Sequence, residues 1–305
     1  MIIHSGMHKT GSSSIQDSLF LNNKVLGQHN MIYPEIGLSF DEEVGHRHLQ
    51  LSNLLKKHHY SRQKLIEVIE ELKALSQNDI IISHEDLFRL DIAPEAFKLL
   101  AESFEVHLLL FVKDPVLYFN DKYKEWIRRQ SCTLEPAEFI LQHFEYLQID
   151  RILPMWEEAI GRANIHVSEF NRNKLSGSAF LANFYYKLNE ITGAQLEALT
   201  LKPVKRKNKS LTNTRTLFYL IANREGKRPE AERISTRTLF ENNKGLVLSR
   251  ECVHQVKARS WHALDYLKTK YGLNVEMKNV DDYLLDMDFF SIKKRYKLQR
   301  KLLGA

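Results

Sequence analysis

Met1-Ile2-Ile3-His4-Ser5-Gly6-Met7-His8-Lys9-Thr10-Gly11-Ser12-Ser13-Ser14-Ile15-Gln16 decides how the rest of the chain is read. Met1 to Ser5 pattern as a short buried strand and Gly6 to Gly11 as a tight loop. Ser12 to Lys24 pattern as a helix with Ile15, Leu19 and Phe20 on one face. Strand, glycine-bounded loop and helix make the first half of a βαβ unit. Two glycines flank four residues, as in a phosphate-binding loop. Ser12 stands where such a loop carries its lysine, and the lysine lies inside the loop instead, at Lys9. Glycines let main-chain N–H groups approach a phosphate, and the helix start adds positive potential. Lys9 adds a full charge, and Thr10, Ser12, Ser13 and Ser14 add hydroxyl donors. The plainer alternative is a strand–turn–helix corner whose serines only cap the helix.

Working outward, Met31 to Pro34 and Asp79 to Ser83 read as strands, the latter continuously apolar as in a sheet covered on both faces. Val106 to Val112 is the strongest strand, broken by Asp114-Pro115, which opens a helix through Arg129. Asn164 to Val167 is a further short strand. Gly45 to Lys57, Ser61 to Leu75 and Pro94 to Ser103 read as helices. Strands alternating with helices predict an α/β fold, a central parallel sheet with helices on both faces. After residue 175 the pattern turns helical: Phe180 to Leu188, Thr212 to Asn223, Pro229 to Glu241, Ser249 to Tyr271 and Asp288 to Leu302. The expectation is one domain over 1–305, with an α/β core over 1–175 and a mostly helical cap over 176–305.

The totals narrow the function. A chain of 305 residues, 43% hydrophobic and 27% charged, buries a large core. A net charge of +6 favours anionic partners. The basic residues are scattered, with no interleaved aromatic–basic stripe and no recognition motif, so no nucleic-acid partner is expected. Two cysteines, Cys132 and Cys252, without metal-type spacing suit a reducing compartment, hence a cytoplasmic location. No apolar run reaches the roughly 20 residues of a membrane span. The thirteen histidines include no His-Glu-x-x-His helix, so no metal is expected. Trp126, Trp156 and Trp261 read as core.

The segment His4 to Gln16 resembles the 5′-phosphosulfate loop of sulfotransferases that use 3′-phosphoadenosine 5′-phosphosulfate (PAPS), most of all their bacterial carbohydrate-type branch. Lys9-Thr10-Gly11 followed by small hydroxyl residues is the specific part. Four further segments match in order. Ile82 to Phe88 resembles the strand end bearing a buried acid near the acceptor. Phe111 to Pro115, continuing over Asp121 to Trp126, resembles the 3′-phosphate element. Glu169 to Leu175 resembles a segment after a later strand, and Asn208-Lys209-Ser210-Leu211 the opening of a C-terminal helix. The resemblance implies a P-loop-type three-layer fold. It also implies PAPS as donor and a carbohydrate or lipid-linked glycan as acceptor. Gly6, His8, Lys9, Thr10, Gly11, Ser12, Ser13, Lys113, Asp121, Lys207 and Asn208 would then bind the donor. Two positions depart from the family pattern. Lys113 replaces an arginine and keeps charge without the bidentate fork. Asp121 replaces a serine and puts a carboxylate beside a phosphate. Two explanations compete: the basic run Lys202, Lys205, Arg206, Lys207 and Lys209 folds over the donor and compensates, or the chain binds the usual donor poorly or not at all and the run is a solvated charge stretch.

Sulfuryl transfer is an in-line displacement that needs positioning, positive charge at the bridging oxygen and a base for the acceptor hydroxyl. Lys9 fits the bridging oxygen. Glu85 fits the base, because it follows a buried strand whose C-terminal end faces the ligand crevice, and partial burial is expected to raise it. His48 is the second candidate base, with His8 and His84 as neighbours of the same type. The competing readings are a P-loop kinase or NTPase, with an acid of the 79–86 segment on a metal, and a non-catalytic nucleotide- or glycan-binding module.

Overall fold

The structure, a computed structural model, describes residues 1–41, 45–171, 178–196, 211–227 and 246–277, and beyond those 279–281, 294 and 296–297. Its strands are β1 (Ile2–Gly6), β2 (Met31–Ile32), β3 (Ser39–Asp41), β4 (Gly45–Arg47), β5 (Asp79–Ser83), β6 (His107–Val112) and β7 (Ile165–Glu169). Five of them form one sheet in the order β2-β5-β1-β6-β7, parallel at every pairing. All C-terminal strand ends therefore face one edge, the edge at which open α/β sheets bind ligands. β1 is central and buried along its whole length, as its unbroken apolar start requires.

The helices are α1 (Ser12–Leu21), α2 (Asn23–Gly27), α3 (Leu49–Leu55), α4 (Arg62–Lys73), α5 (Pro94–Ser103), α6 (Pro115–Arg129), α7 (Pro136–His143), α8 (Ile149–Ile160), α9 (Ser178–Thr192), α10 (Asn213–Arg224) and α11 (Arg250–Tyr271). Proline opens α5, α6 and α7, where its missing N–H costs nothing. The Asp114 carboxylate caps α6, accepting from the Val116 N–H at 2.7 Å.

On one face of the sheet, Ile2, Ile81, Leu109 and Phe111 pack with Ile15 and Leu19 of α1 and with Phe180, Phe184 and Leu188 of α9. Their alternates Ile3, Ile80, Ile82, Leu108 and Leu110 are equally buried, so both faces are covered. Phe97 of α5 and Trp156 of α8 pack with ring centroids 4.0 Å apart and planes inclined by 39°. Truncating a fully buried phenylalanine such as Phe184 to alanine costs about 3–5 kcal/mol.

The chain divides into two compact units. Met1–Lys113, Gln148–Asn208 and Ala263–Val275 form the first, and Asp114–Leu147, Lys209–His262 and Glu276–Ala305 the second. All seven strands belong to the first. In the second, Phe139 of α7 meets Tyr123 and Trp126 of α6. There the Asn223 amide of α10 donates to the Ile127 carbonyl at 2.8 Å.

Three expectations change. Gly45 to Arg47 is not helical. It pairs antiparallel with Ser39–Asp41, a partner that helical periodicity does not register, and the helix begins at Leu49. α7 and α8 occupy a stretch without a clear signal, because Pro154 interrupts the α8 pattern. Trp261 is exposed, at 59%, whereas Trp156 is core. The expected helix Pro229 to Glu241 lies outside the described residues, as does nearly all of Asp288 to Leu302.

Two buried histidines tie this unit's stability to pH. His4 Nδ1 lies 2.7 Å from the Ser83 hydroxyl. His48 Nδ1 accepts from the Ser83 N–H at 3.1 Å, and its Nε2 lies 3.0 Å from the Pro34 carbonyl. Burial lowers His4 to about 3 and His48 to about 4. The unfolded chain thus takes up protons first. Their contribution is intact above the ordinary histidine value of 6.5 and is lost as pH falls towards 4. The free energy of unfolding should drop between pH 6.5 and 4 by about 1.4 kcal/mol per pH unit for each ring. A denaturant midpoint constant across that window would contradict the burial.

Candidate phosphate-binding site

The loop after β1 is held by its neighbour strand. A Cβ on Gly6 would stand 2.7 Å from the Phe111 carbonyl oxygen, so only glycine lets β1 end this close to β6. The Met7 N–H donates to that same carbonyl at 3.1 Å. The Thr10 hydroxyl donates to the Met7 carbonyl at 2.7 Å and is buried at 1% exposure. Thr10 is therefore a brace that closes the loop, and its proton is not offered to a ligand. Lys9 has φ 68° and Gly11 φ 84°, two left-handed residues that turn the chain into α1.

Gly11 occupies the N-cap of α1. No side chain caps that end, and the first turn carries no acidic residue. The serines are thus not caps. Ser12 and Ser13 are half-buried and Ser14 is exposed. An uncapped helix start with a lysine two residues upstream has the charge and the donor geometry that suit an anion.

The turn after β5 lies beside the loop. The Ser5 hydroxyl donates to the His84 carbonyl at 2.9 Å, and His84 Nδ1 accepts the Asp86 N–H at 3.0 Å. His8 of the loop reaches both carboxylates, Glu85 Oε1 at 3.8 Å from Nδ1 and Asp86 Oδ1 at 3.2 Å from Nε2. Arg47 adds a contact to Glu85 at 3.5 Å, and Lys56 one to Asp86 at 2.9 Å. The Gln16 amide of α1 lies 3.4 Å from Glu85.

Burial pushes Glu85 up, but His84, His8 and Arg47 outweigh it and hold the carboxyl at about 2. His84 is itself lowered by burial, so the groups in contact, Arg47 and His8, bear most on Glu85. The expectation of a raised Glu85 fails because burial came with partners. Asp86 goes the same way: burial pushes it up, and His8, His84 and Lys56 pull it well below the carboxylate range. Around this turn Arg47 Nε, Ser52 Oγ and His84 Nε2 are buried without a hydrogen-bond partner among the described residues, a cost borne by few protein groups.

The remaining candidates fall into three places. His48 is enclosed at 0% exposure with both ring nitrogens engaged by backbone, which leaves no lone pair for a substrate proton. Lys113 follows β6 at 4% exposure, and its N–H points to the Met7 sulfur at 3.4 Å, which sets its main chain beside the loop. Asp121 lies in α6 of the second unit, half-buried. Lys207 and Asn208 lie outside the described residues, as do Lys202, Lys205, Arg206 and Lys209. Arg47, Lys56 and Asp86 join the site without having been singled out as site residues. Asp86 lies in the Ile82 to Phe88 segment beside Glu85, and only the hairpin and α3 bring the two cations to the β5 end. Among the described residues no group of three or more His, Cys, Asp or Glu side chains is arranged to hold a metal ion.

Gly11 tests the loop directly. A Cβ there would meet the Phe180 ring at 2.5 Å on a left-handed backbone. Gly11→Ala should lower stability by about 1–3 kcal/mol, whereas Ser14→Ala on the exposed side stays within about 0.5 kcal/mol. Equal melting midpoints for the two variants would mean that the loop does not adopt this form.

No family model matches the chain, and no curated protein does. Among solved structures, a sulfotransferase from Alicyclobacillus acidocaldarius is similar at 12% identity, with 78% of this chain and 96% of that chain covered and a TM-score of 0.42. At that score the likeness decides nothing about the chemistry, which rests on the residues of the site.

Proposed function

We propose that this chain is a sulfotransferase that takes a sulfuryl group from PAPS, bound at the Gly6–Gly11 loop, and passes it to a hydroxyl of a carbohydrate or lipid-linked glycan. The observation that carries the reading is the loop itself. Lys9 sits within it on a left-handed backbone, ahead of an uncapped helix start, with two ionised carboxylates facing it across the β5 turn. A kinase-type loop would carry its lysine after the second glycine, where this chain has Ser12.

In the proposed step the acceptor oxygen attacks sulfur while the bond from sulfur to the 5′-phosphate oxygen breaks. The electron pair leaves on that phosphate oxygen, next to the Lys9 ammonium. The α1 N–H groups and the Ser12 and Ser13 hydroxyls hold the 5′-phosphate, and Lys113 serves the far end of the donor. Glu85 receives the acceptor proton. Its low value makes it a weak base in the ligand-free protein, and an anionic donor arriving beside His8 acts in the opposite sense and raises it. No metal is part of this step, since Lys9 and the helix start supply the positive charge.

The test is transfer of labelled sulfate from PAPS to a panel of glycosides, together with calorimetric titration of adenosine 3′,5′-bisphosphate with and without magnesium. Lys9→Ala should lose transfer by about two orders of magnitude, the scale of one lost transition-state charge contact. Equal turnover would remove Lys9 from the chemistry. Magnesium-dependent binding would favour a phosphoryl-transfer enzyme, and no binding by the wild type would favour a non-catalytic module. With Glu85 as base, kcat/KM, which reports the free protein, stays flat on the acid side down to about pH 5, because the carboxylate remains ionised there. An acid limb between pH 6 and 7 would transfer the role to an imidazole.

A further inference from the structure

The opposite edge of the sheet carries a second arrangement of side chains, unconnected with the phosphate loop. His107 opens β6 and pairs with Ile2, at the N-terminal end of β1, whereas the loop follows Gly6 at the other end. The two places lie roughly 13 Å apart at about 3.3 Å per residue along the strand. In β7, His166 is the register partner of Leu109. His107, two residues earlier, therefore shares its face of the sheet.

The two rings aim nitrogens at each other. His107 Nδ1 and His166 Nε2 are 3.3 Å apart, with ring centroids at 5.5 Å and planes inclined by 33°. Two nitrogens bound to one tetrahedral zinc ion at about 2.0–2.1 Å are separated by about 3.3–3.4 Å. The second nitrogen of His107, Nε2, lies 3.8 Å from the Glu105 carboxylate. A carboxylate behind the non-ligating nitrogen is the usual support of a metal-bound histidine. A cavity of about 460 Å³ opens alongside, lined by Asp79, Glu105 and His107 among others. It gives an ion and its waters access to the His107 side of the pair. Burial is the largest influence on both rings and disfavours positive charge there; Asp79 and Glu105 beside His107 and Glu190 beside His166 offset it in part, and Lys187 and the Met1 amino group add to it.

We propose that His107 and His166 form a two-histidine clip for a divalent transition-metal ion of the zinc type, with water completing the coordination and Glu105 orienting His107. The clip fastens β6 to β7 at the sheet edge remote from the phosphate loop and takes no part in the proposed transfer.

The experiment is calorimetric titration of the full chain with zinc chloride, paired with the thermal midpoint at each metal ratio. Wild type should bind one equivalent and gain stability, as a ligand specific for the folded state must confer. His107→Gln and His166→Gln should each lose that equivalent and the midpoint gain, and Glu105→Gln should weaken binding about tenfold. Substituting the exposed pair His58 and His59 with glutamine should leave both intact. Should His107→Gln fail to fold, the half-buried His166 decides alone. Wild type that binds no zinc, or His166→Gln that retains the equivalent, overturns the assignment.

Discussion

The contact between the end of β1 and the backbone of β6 governs the rest of the site. With no side chain on Gly6, the main chain passes close enough to the Phe111 carbonyl that the Met7 N–H extends the ladder beyond the strand. The next four residues are then too short to wander. The Thr10 hydroxyl pins them to the Met7 carbonyl, and Gly11 turns them into α1 with the helix start open. A larger residue at position 6 would push β1 away from β6, and the loop, the helix start and the Lys113 backbone would move apart together. The proposed anion site is thus a product of sheet packing as much as of loop composition.

Charge at this edge is organised rather than simply positive. Glu85 and Asp86 would be unfavourable neighbours for an anion if they stood alone. They are instead committed to His8, Arg47 and Lys56, so that their charge is balanced locally. Such half-buried ion pairs contribute little net stability, because desolvation offsets most of the attraction. Their effect is positional: His8, one residue before Lys9, is fixed to the β5 turn, so the loop and the turn share one framework. The unpartnered Arg47 Nε, Ser52 Oγ and His84 Nε2 around that turn show that polar burial was tolerated there, a pattern associated with functional sites rather than with optimised cores.

Local signals were strongest where one residue's neighbours in sequence are also its neighbours in space. The β1–loop–α1 corner, the apolar runs of β5 and β6, and the proline-opened α5 and α6 all belong to this class. The β3–β4 hairpin does not. Its ladder, Ser39 with Arg47 and Phe40 with His46, depends on backbone partners that helical periodicity ignores. His48 shows the same limit for function: a histidine in a polar-looking segment becomes a backbone staple once Ser83 and Pro34 close on it. The contact between His107 and His166 was equally invisible, since they lie on different strands and meet only through register.

By itself the sequence determined the fold class and the strand–loop–helix form of the first corner. Both follow from short-range facts: hydrophobic period and glycine placement. Tertiary structure alone decided which side chains surround that loop and what protonation state they hold. Burial by itself raises a carboxyl, yet Arg47, Lys56 and His8, brought in from a hairpin, a helix and the loop, hold Glu85 and Asp86 ionised. A group's proton affinity depends on charges within a few ångströms in space, and distance along the chain carries almost no information about them.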